Sequence, residues 1–239
     1  MIIEGDISVK AALKYNQRKV NVIIAYEKRH DKGLHYVLKV AEEKKVPVEL
    51  VNRKRVDELA TGKTHGGLIA DVEERRFQKL EDCLQGNTPF VSVVEGVEDP
   101  FNLGYIIRAL YASGCTGLIL KKREWKNVEP IILKSSAGAY DALTIHQSED
   151  IPLAIRRLKE DGLYCYAAMR KDAMIYTDAN FTQPIVLLIG GEIRGLSSKV
   201  LKESDQNIFI PYANDFHNAL NAAGASAVLG FEILRQRSK

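Results

Sequence analysis

Cysteine, methionine and tryptophan are scarce in this 239-residue chain, which holds three, three and one of them. Cys83, Cys115 and Cys165 are isolated, odd in number and without the spacing of metal ligands. They exclude a disulfide framework, give no metal site, and fit small buried apolar groups in a reducing compartment. No continuous run of about 18 apolar residues occurs, so a membrane span is not expected. The start, Met1-Ile2-Ile3-Glu4-Gly5-Asp6, lacks the basic region and apolar block of a secretory signal, and a cytoplasmic protein is expected. Neither G-x-G nor G-x-x-x-x-G-K-[ST] occurs, which excludes the dinucleotide fingerprint and the phosphate loop, and with them the usual NAD and ATP enzymes.

What the chain has is 46% hydrophobic residues over a length that buries one good core or two modest ones. Its net charge of +3 is unevenly spread, with 16 Lys+Arg against 12 Asp+Glu in residues 1–76 and 18 against 19 in residues 77–239. Lys10, Arg18, Arg29 and Arg53 belong to that N-terminal excess, and clustered cations attract a polyphosphate. Charge alone reads equally well as a solvated face on a small domain. A second run, Lys121-Lys122-Arg123-Glu124-Trp125-Lys126, interleaves cations with the only tryptophan. It reads either as phosphate contacts with Trp125 stacked on an unpaired base, or as a solvated loop with one anchoring aromatic.

Hydrophobic periodicity predicts two α/β domains. Residues 1–76 give helix 8–15, strand 20–25, helix 34–44, strand 46–51, a short helix 56–60 and strand 68–72, a small α/β sandwich. Residues 77–88 read as a polar linker. In residues 89–239, strands at 90–95, 117–120, 163–168, 186–189 and 208–211 alternate with helices at 103–113, 151–160, 197–203 and 218–236. That alternation is the pattern of one doubly wound parallel sheet, a fold that builds its sites where strands end and helices begin.

Three such places carry polar groups. Asp99-Pro100-Phe101-Asn102-Leu103-Gly104-Tyr105-Ile106-Ile107-Arg108 follows a strand and opens a helix, with Asn102 as its expected N-cap. Ile185-Val186-Leu187-Leu188-Ile189-Gly190-Gly191-Glu192-Ile193-Arg194-Gly195-Leu196-Ser197 is a buried strand running into a turn, where Gly190 and Gly191 let the backbone approach a ligand. Ile208-Phe209-Ile210-Pro211 begins a strand and loop leading to Asn218-Ala219-Leu220-Asn221. Taken in order, the three resemble motifs 1, 2 and 3 of the SpoU/TrmH family of the SPOUT RNA methyltransferases, N-x-G-x-I-x-R, G-x-E-x-x-G-[LI]-S and I-P-M…S-L-N.

This resemblance implies transfer of a methyl group from S-adenosylmethionine to a ribose 2′-hydroxyl of RNA, with rRNA as the leading substrate. The alternatives are a tRNA enzyme, an antibiotic-resistance rRNA methyltransferase and a catalytically weak RNA-binding relative. It also implies a catalytic domain over 89–239 with a C-terminal trefoil knot, and a homodimer formed through the knotted region. Residues 1–76 resemble the L30e-like substrate-binding domain, including its ending, Thr64-His65-Gly66-Gly67-Leu68. His65 there reads as a turn or RNA contact rather than a catalytic group. By the same resemblance Arg108, Asn102, Glu192 and Asn221 are catalytic, and backbone around Gly190, Gly191, Ile210 and Leu220 holds the cofactor. Lys10, Arg18, Arg29, Arg53, Lys121 and Arg123 are the expected RNA contacts. Ala222, Ala223, Gly224, Ala225, Ser226 and Ala227 fit close approach of a partner subunit, and equally a helix packed tightly on its own sheet.

Three departures from the motifs stand out. Ala219 replaces the motif 3 serine, Tyr105 replaces the alanine after the motif 1 glycine, and the loop 211–218 is about one residue longer than the common form. The lost hydroxyl removes one donor and acceptor, for which His217, Asn218 or Ser226 are the candidate replacements.

Overall fold

The computed structural model describes residues 1–215 and 218–238, which divide into two units. Met1–Arg76 and Glu124–Ala142 form the first, and Phe77–Arg123 and Leu143–Lys239 the second.

The first unit begins with β1 (Ile2–Glu4), α1 (Gly5–Tyr15), β2 (Val20–Tyr26), α2 (Lys32–Glu43), β3 (Val48–Val51), α3 (Arg53–Leu59) and β4 (Leu68–Val72). Its sheet runs β1-β4-β2-β3, with β4 antiparallel to both neighbours and β2 parallel to β3. Side-chain caps set where the helices start. The Asp31 carboxylate accepts the Gly33 and Leu34 N–H groups at the head of α2, and the Asn52 side chain accepts that of Arg55 at the head of α3. Three-residue β1 is too short to show a period, so the sequence pattern passed over it.

The chain then lays down β5 (Phe90–Glu95), α4 (Pro100–Ala112) and β6 (Gly117–Lys121) in the second unit. It returns to the first unit for α5 (Glu129–Ser135) and α6 (Ala139–Ala142), which pack on α1. It completes the second with β7 (Ile145–Ser148), α7 (Ile151–Glu160), β8 (Tyr164–Ala168), β9 (Ala173–Ile175), β10 (Ile185–Gly190), α8 (Ser198–Leu201), β11 (Gln206–Phe209) and α9 (Ala222–Arg237). The excursion interrupts the expected continuous domain over 89–239. The stretch 77–88, expected as a linker, sends Leu80 and Cys83 into the core of the second unit.

All seven strands of that unit run parallel in the order β7-β6-β5-β10-β8-β11-β9. Its central strands are apolar almost throughout because helices cover both faces. On one side, Val91, Ile119, Val186 and Leu188 pack with Ile155 and Leu158 of α7. Elsewhere α4 packs against α9, which also contacts β10. All three cysteines are buried, and none is joined in a disulfide among the described residues. Among the described residues no helix is long and apolar enough to cross a membrane.

Candidate active site

The end of β5 is bolted to the turn after β10. The Gly191 N–H donates to the Glu95 carbonyl at 2.7 Å, and the Ser197 N–H donates to the Glu95 carboxylate at 2.7 Å. A bridge between Gly191 and Gly195 tightens the turn, with the Gly195 N–H on the Gly191 carbonyl at 2.9 Å. The two glycines are required by these contacts. A Cβ on Gly190 would fall 2.5 Å from the Gly195 carbonyl carbon and the Leu196 nitrogen, and one on Gly191 would run into the Gly96 peptide. The backbone they admit is therefore the protein's own, and Gly96, which takes φ +75°, is a partner that the strand pattern did not single out.

Beyond this knuckle lies a cavity of about 370 Å³ at the C-terminal ends of β8, β10 and β11. That edge is where parallel α/β sheets hold ligands, and the volume lies within the roughly 300–1,000 Å³ of small-molecule pockets. Gly190, Gly191, Ile210 and Leu220, which the sequence put at a cofactor, all line it, and so does Glu192. Apolar walls come from Ile189, Leu196, Ile208 and Leu229, whereas Arg170, Arg194 and Tyr212 add polar groups. Such a lining suits a flat apolar base joined to a charged tail, which is the make-up of S-adenosylmethionine.

Arg170 and Tyr212 were not foreseen. Arg170 comes from the chain just beyond β8, outside every motif, and only the pairing of β8 with β10 and β11 brings it here. An isolated arginine after a strand carries no sequence signal for this.

The remaining expected site residues are placed as follows. Arg108 is exposed on α4, outside the cavity lining, with no hydrogen-bond or ion-pair partner among the described residues. Asn102 is half-buried and lies within α4 rather than at its cap. The helix begins earlier, at Pro100, because the Asp99 carboxylate accepts the Phe101 and Asn102 N–H groups and proline suits the first turn. Asn221 caps α9, its side-chain oxygen accepting the Gly224 N–H at 2.7 Å, so α9 starts at Ala222 rather than at 218. Ala219 lines the cavity. Of the candidate replacements for its missing hydroxyl, Ser226 is buried and donates to the Ala222 carbonyl, and His217 lies outside the described residues.

Among the expected RNA contacts, Arg18 needs correction. Its side chain is fully buried and held by Asp141 and Glu129, so it has no face for a phosphate. Arg29 is tied to Asp6, Asp31 and the Gly66 carbonyl, and charge and hydrogen bonds from the two carboxylates raise its pKa. Arg53 pairs with Asp57 on the exposed surface, Lys10 lies over the Tyr36 ring, and Lys121 and Arg123 are exposed. Trp125 is only 5% exposed, which overturns the base-stacking reading and leaves that of an anchor. His65 is buried in a turn, its Nδ1 accepting the Gly67 N–H and its Nε2 3.1 Å from Asp57.

A parallel sheet with an apolar, charge-tipped pocket at its C-terminal edge is the architecture of an α/β protein that binds a small ligand. The SpoU rRNA Methylase family profile matches residues 89–231, and a profile for RNA 2′-O ribose methyltransferase substrate binding matches residues 2–78. The chain belongs to the SpoU rRNA methylase family. It is accordingly an RNA ribose 2′-O-methyltransferase. An uncharacterized tRNA/rRNA methyltransferase of Synechocystis is 29% identical over 99% of this chain, which spans 62% of that relative's length. The 23S rRNA (guanosine-2′-O-)-methyltransferase RlmB of Pseudomonas putida is 28% identical, covering 98% of this chain and 96% of its own. The fold matches the SpoU methyltransferase AviRb of Streptomyces viridochromogenes, solved with AdoMet, at TM-score 0.83 and 22% identity over 100% of this chain and 91% of that one.

Proposed function

We propose that this enzyme methylates a ribose of ribosomal RNA in the cytoplasm, holding its donor in the cavity between β8, β10 and β11. The observation that carries this reading is the convergence of Gly190, Gly191, Glu192, Ile210 and Leu220, from two separate motifs, on that one pocket. The preference for rRNA rests on the naming of the Pseudomonas relative and on the basic excess of residues 1–76.

When bound, S-adenosylmethionine supplies a methyl group on a sulfonium, a leaving group that needs no further activation. The protein's task is to present the ribose oxygen in line with that methyl and to stabilise the negative charge growing on it. Arg108 takes this role, since a guanidinium offers five donors in a fixed, planar fork. Among the described residues no carboxylate pairs with it, which leaves the charge available for RNA. Glu192, exposed at the cavity rim, orients the ribose or the guanidinium, and Asn102, about one and two-thirds turns before Arg108 on α4, contacts the nucleotide. Asn221 retains its amide N–H groups for the same purpose while its oxygen caps α9.

The enzyme works as a homodimer, with the C-terminal segment threaded as a trefoil knot. In support, α4 and α9, which pack together, expose Phe101, Tyr105 and Phe231 at about half of their surface (52%, 49% and 50%). Apolar faces of that kind in a soluble protein mark association surfaces.

The test is a tritiated-methyl assay on total RNA from a strain lacking the gene, with ribose-methylation mapping of the product and calorimetric titration of S-adenosylmethionine. Arg108→Ala is expected to abolish transfer while leaving donor affinity within about threefold. A folded protein that binds RNA but no donor would overturn the reading.

A further inference from the structure

Arg170 stands on the loop that follows β8, away from the three motifs, yet it touches the wall that motif 3 builds. Its guanidinium carbon lies 4.4 Å from the centre of the Tyr212 ring. From the same group, Nη2 donates to the Asn218 carbonyl at 3.2 Å. The Tyr212 hydroxyl in turn accepts the Leu220 N–H at 2.7 Å. Arg170, Tyr212 and Leu220 all line the cavity. Three contacts therefore tie backbone positions 218 and 220 back to residue 212, and clamp all three to a loop from a different strand.

The choice of residue types fits this task. A guanidinium is flat and can stack on an aromatic face while donating in its own plane, which an ammonium cannot do. Arg170 has no carboxylate partner among the described residues, so its stacking and its carbonyl bond are its anchors within the chain. A tyrosine hydroxyl reaches a backbone N–H eight residues onward, whereas phenylalanine would keep the stack and lose the tie. The braced stretch is also the one in which this chain departs from the motif, with Ala219 in place of serine and about one extra residue in the loop.

We infer that Arg170 and Tyr212 are positioning residues that hold the Leu220 backbone against the cavity and thereby set the affinity for the methyl donor. The inference rests on the reading of this cavity as the donor site. A wall that is ordered in advance spares the ligand the entropy of ordering it, and an unbraced wall lowers apparent affinity by the fraction of time it is out of place.

The experiment uses the full-length protein and the variants Tyr212→Phe, Arg170→Lys and Arg170→Gln. Hydrogen–deuterium exchange on the ligand-free protein reads the amide of Leu220, and calorimetry with S-adenosylmethionine reads donor affinity. Tyr212→Phe is expected to speed exchange in the peptide spanning 218–221 and to weaken donor binding about two- to tenfold, the range for one lost hydrogen bond. Arg170→Gln is expected to do the same, and Arg170→Lys to rescue neither effect. In turnover, the loss falls on KM for the donor more than on kcat. Unchanged exchange in all three variants would show that no brace exists, and faster exchange with unchanged affinity would show that it does not govern the donor; either overturns the proposal. Failure of the wild-type protein to bind the donor is a separate result that removes the donor-site reading itself, and the affinity claim with it.

Discussion

Arg18 and Asp141, 123 residues apart in the chain, form a bidentate ion pair with both side chains fully buried, Nη2 and Nε lying 2.8 and 3.0 Å from the carboxylate oxygens. Nη1 of the same arginine donates to Glu129 at 2.8 Å, and the Tyr140 hydroxyl donates to the other Glu129 oxygen at 3.2 Å. Burial works against the charge on Arg18, but the two carboxylates outweigh it and raise the pKa. Arg75, at the edge of the cluster, has its pKa pulled down by burial. The network fastens α5 and α6, encoded within the methyltransferase sequence, onto the N-terminal unit.

Removing one partner of a buried pair strands the others. Arg18→Ala is expected to lower unfolding stability by about 3–5 kcal/mol, because two buried carboxylates lose their counter-charge. Deleting residues 1–76 takes away the surface on which α5 and α6 pack, so the remainder should aggregate rather than behave as a free catalytic domain. Urea titration of the variant and size-exclusion chromatography of the truncation check both. A stable, monodisperse 77–239 fragment would refute the interdependence.

Gly191→Ala places a methyl group against the Gly96 peptide, where only backbone movement makes room. Overpacking of this kind costs about 1–3 kcal/mol. The expected result is a lower melting temperature together with weaker donor binding, since the displaced turn lines the cavity. Calorimetry and thermal unfolding should move together.

Ala219→Ser restores the hydroxyl that motif 3 usually carries. On the roles proposed for Arg108, Glu192 and Asn221, the expected change in transfer rate is less than about tenfold, below what one hydrogen bond to a charged group can supply at about 1.5–3 kcal/mol. Single-turnover methyl transfer measures it. A gain of a hundredfold or more would show that the natural chain is a crippled enzyme.

Burial pushes the thiols of Cys115 and Cys165 up from an ordinary 9.0 to about 12. A group whose folded pKa lies above its unfolded value stabilises the fold fully below the unfolded value and loses that contribution as pH rises toward the folded one. Stability should therefore fall between pH 9 and 12, by about 1.4 kcal/mol per thiol for each pH unit. Iodoacetamide at pH 8 should leave both thiols unmodified in the folded protein and alkylate them in urea, as read by mass spectrometry.

Local patterning determined much of this protein. The apolar run ending in Gly190-Gly191 reads as a buried strand with a tight exit and the stripe of Leu103, Ile106, Ile107 and Leu110 as a core-facing helix, and both elements form. Gly190, Gly191, Ile210 and Leu220 of motifs 2 and 3 line one cavity, whereas Asn102 and Arg108 of motif 1 lie outside its lining. Contacts between distant segments were not legible, because periodicity reports which face of an element is buried and says nothing of what buries it. Arg18 reads as a surface cation until Asp141 and Glu129 are brought to it, and Trp125 reads equally as a stacking platform or an anchor until it is seen buried. The helix starts moved by a few residues because Asp99 and Asn221 bonded to backbone donors that the pattern could not rank. Arg170 and Tyr212 lie 42 positions apart, and only the parallel pairing of β8 with β11 lets their stacking close the cavity wall.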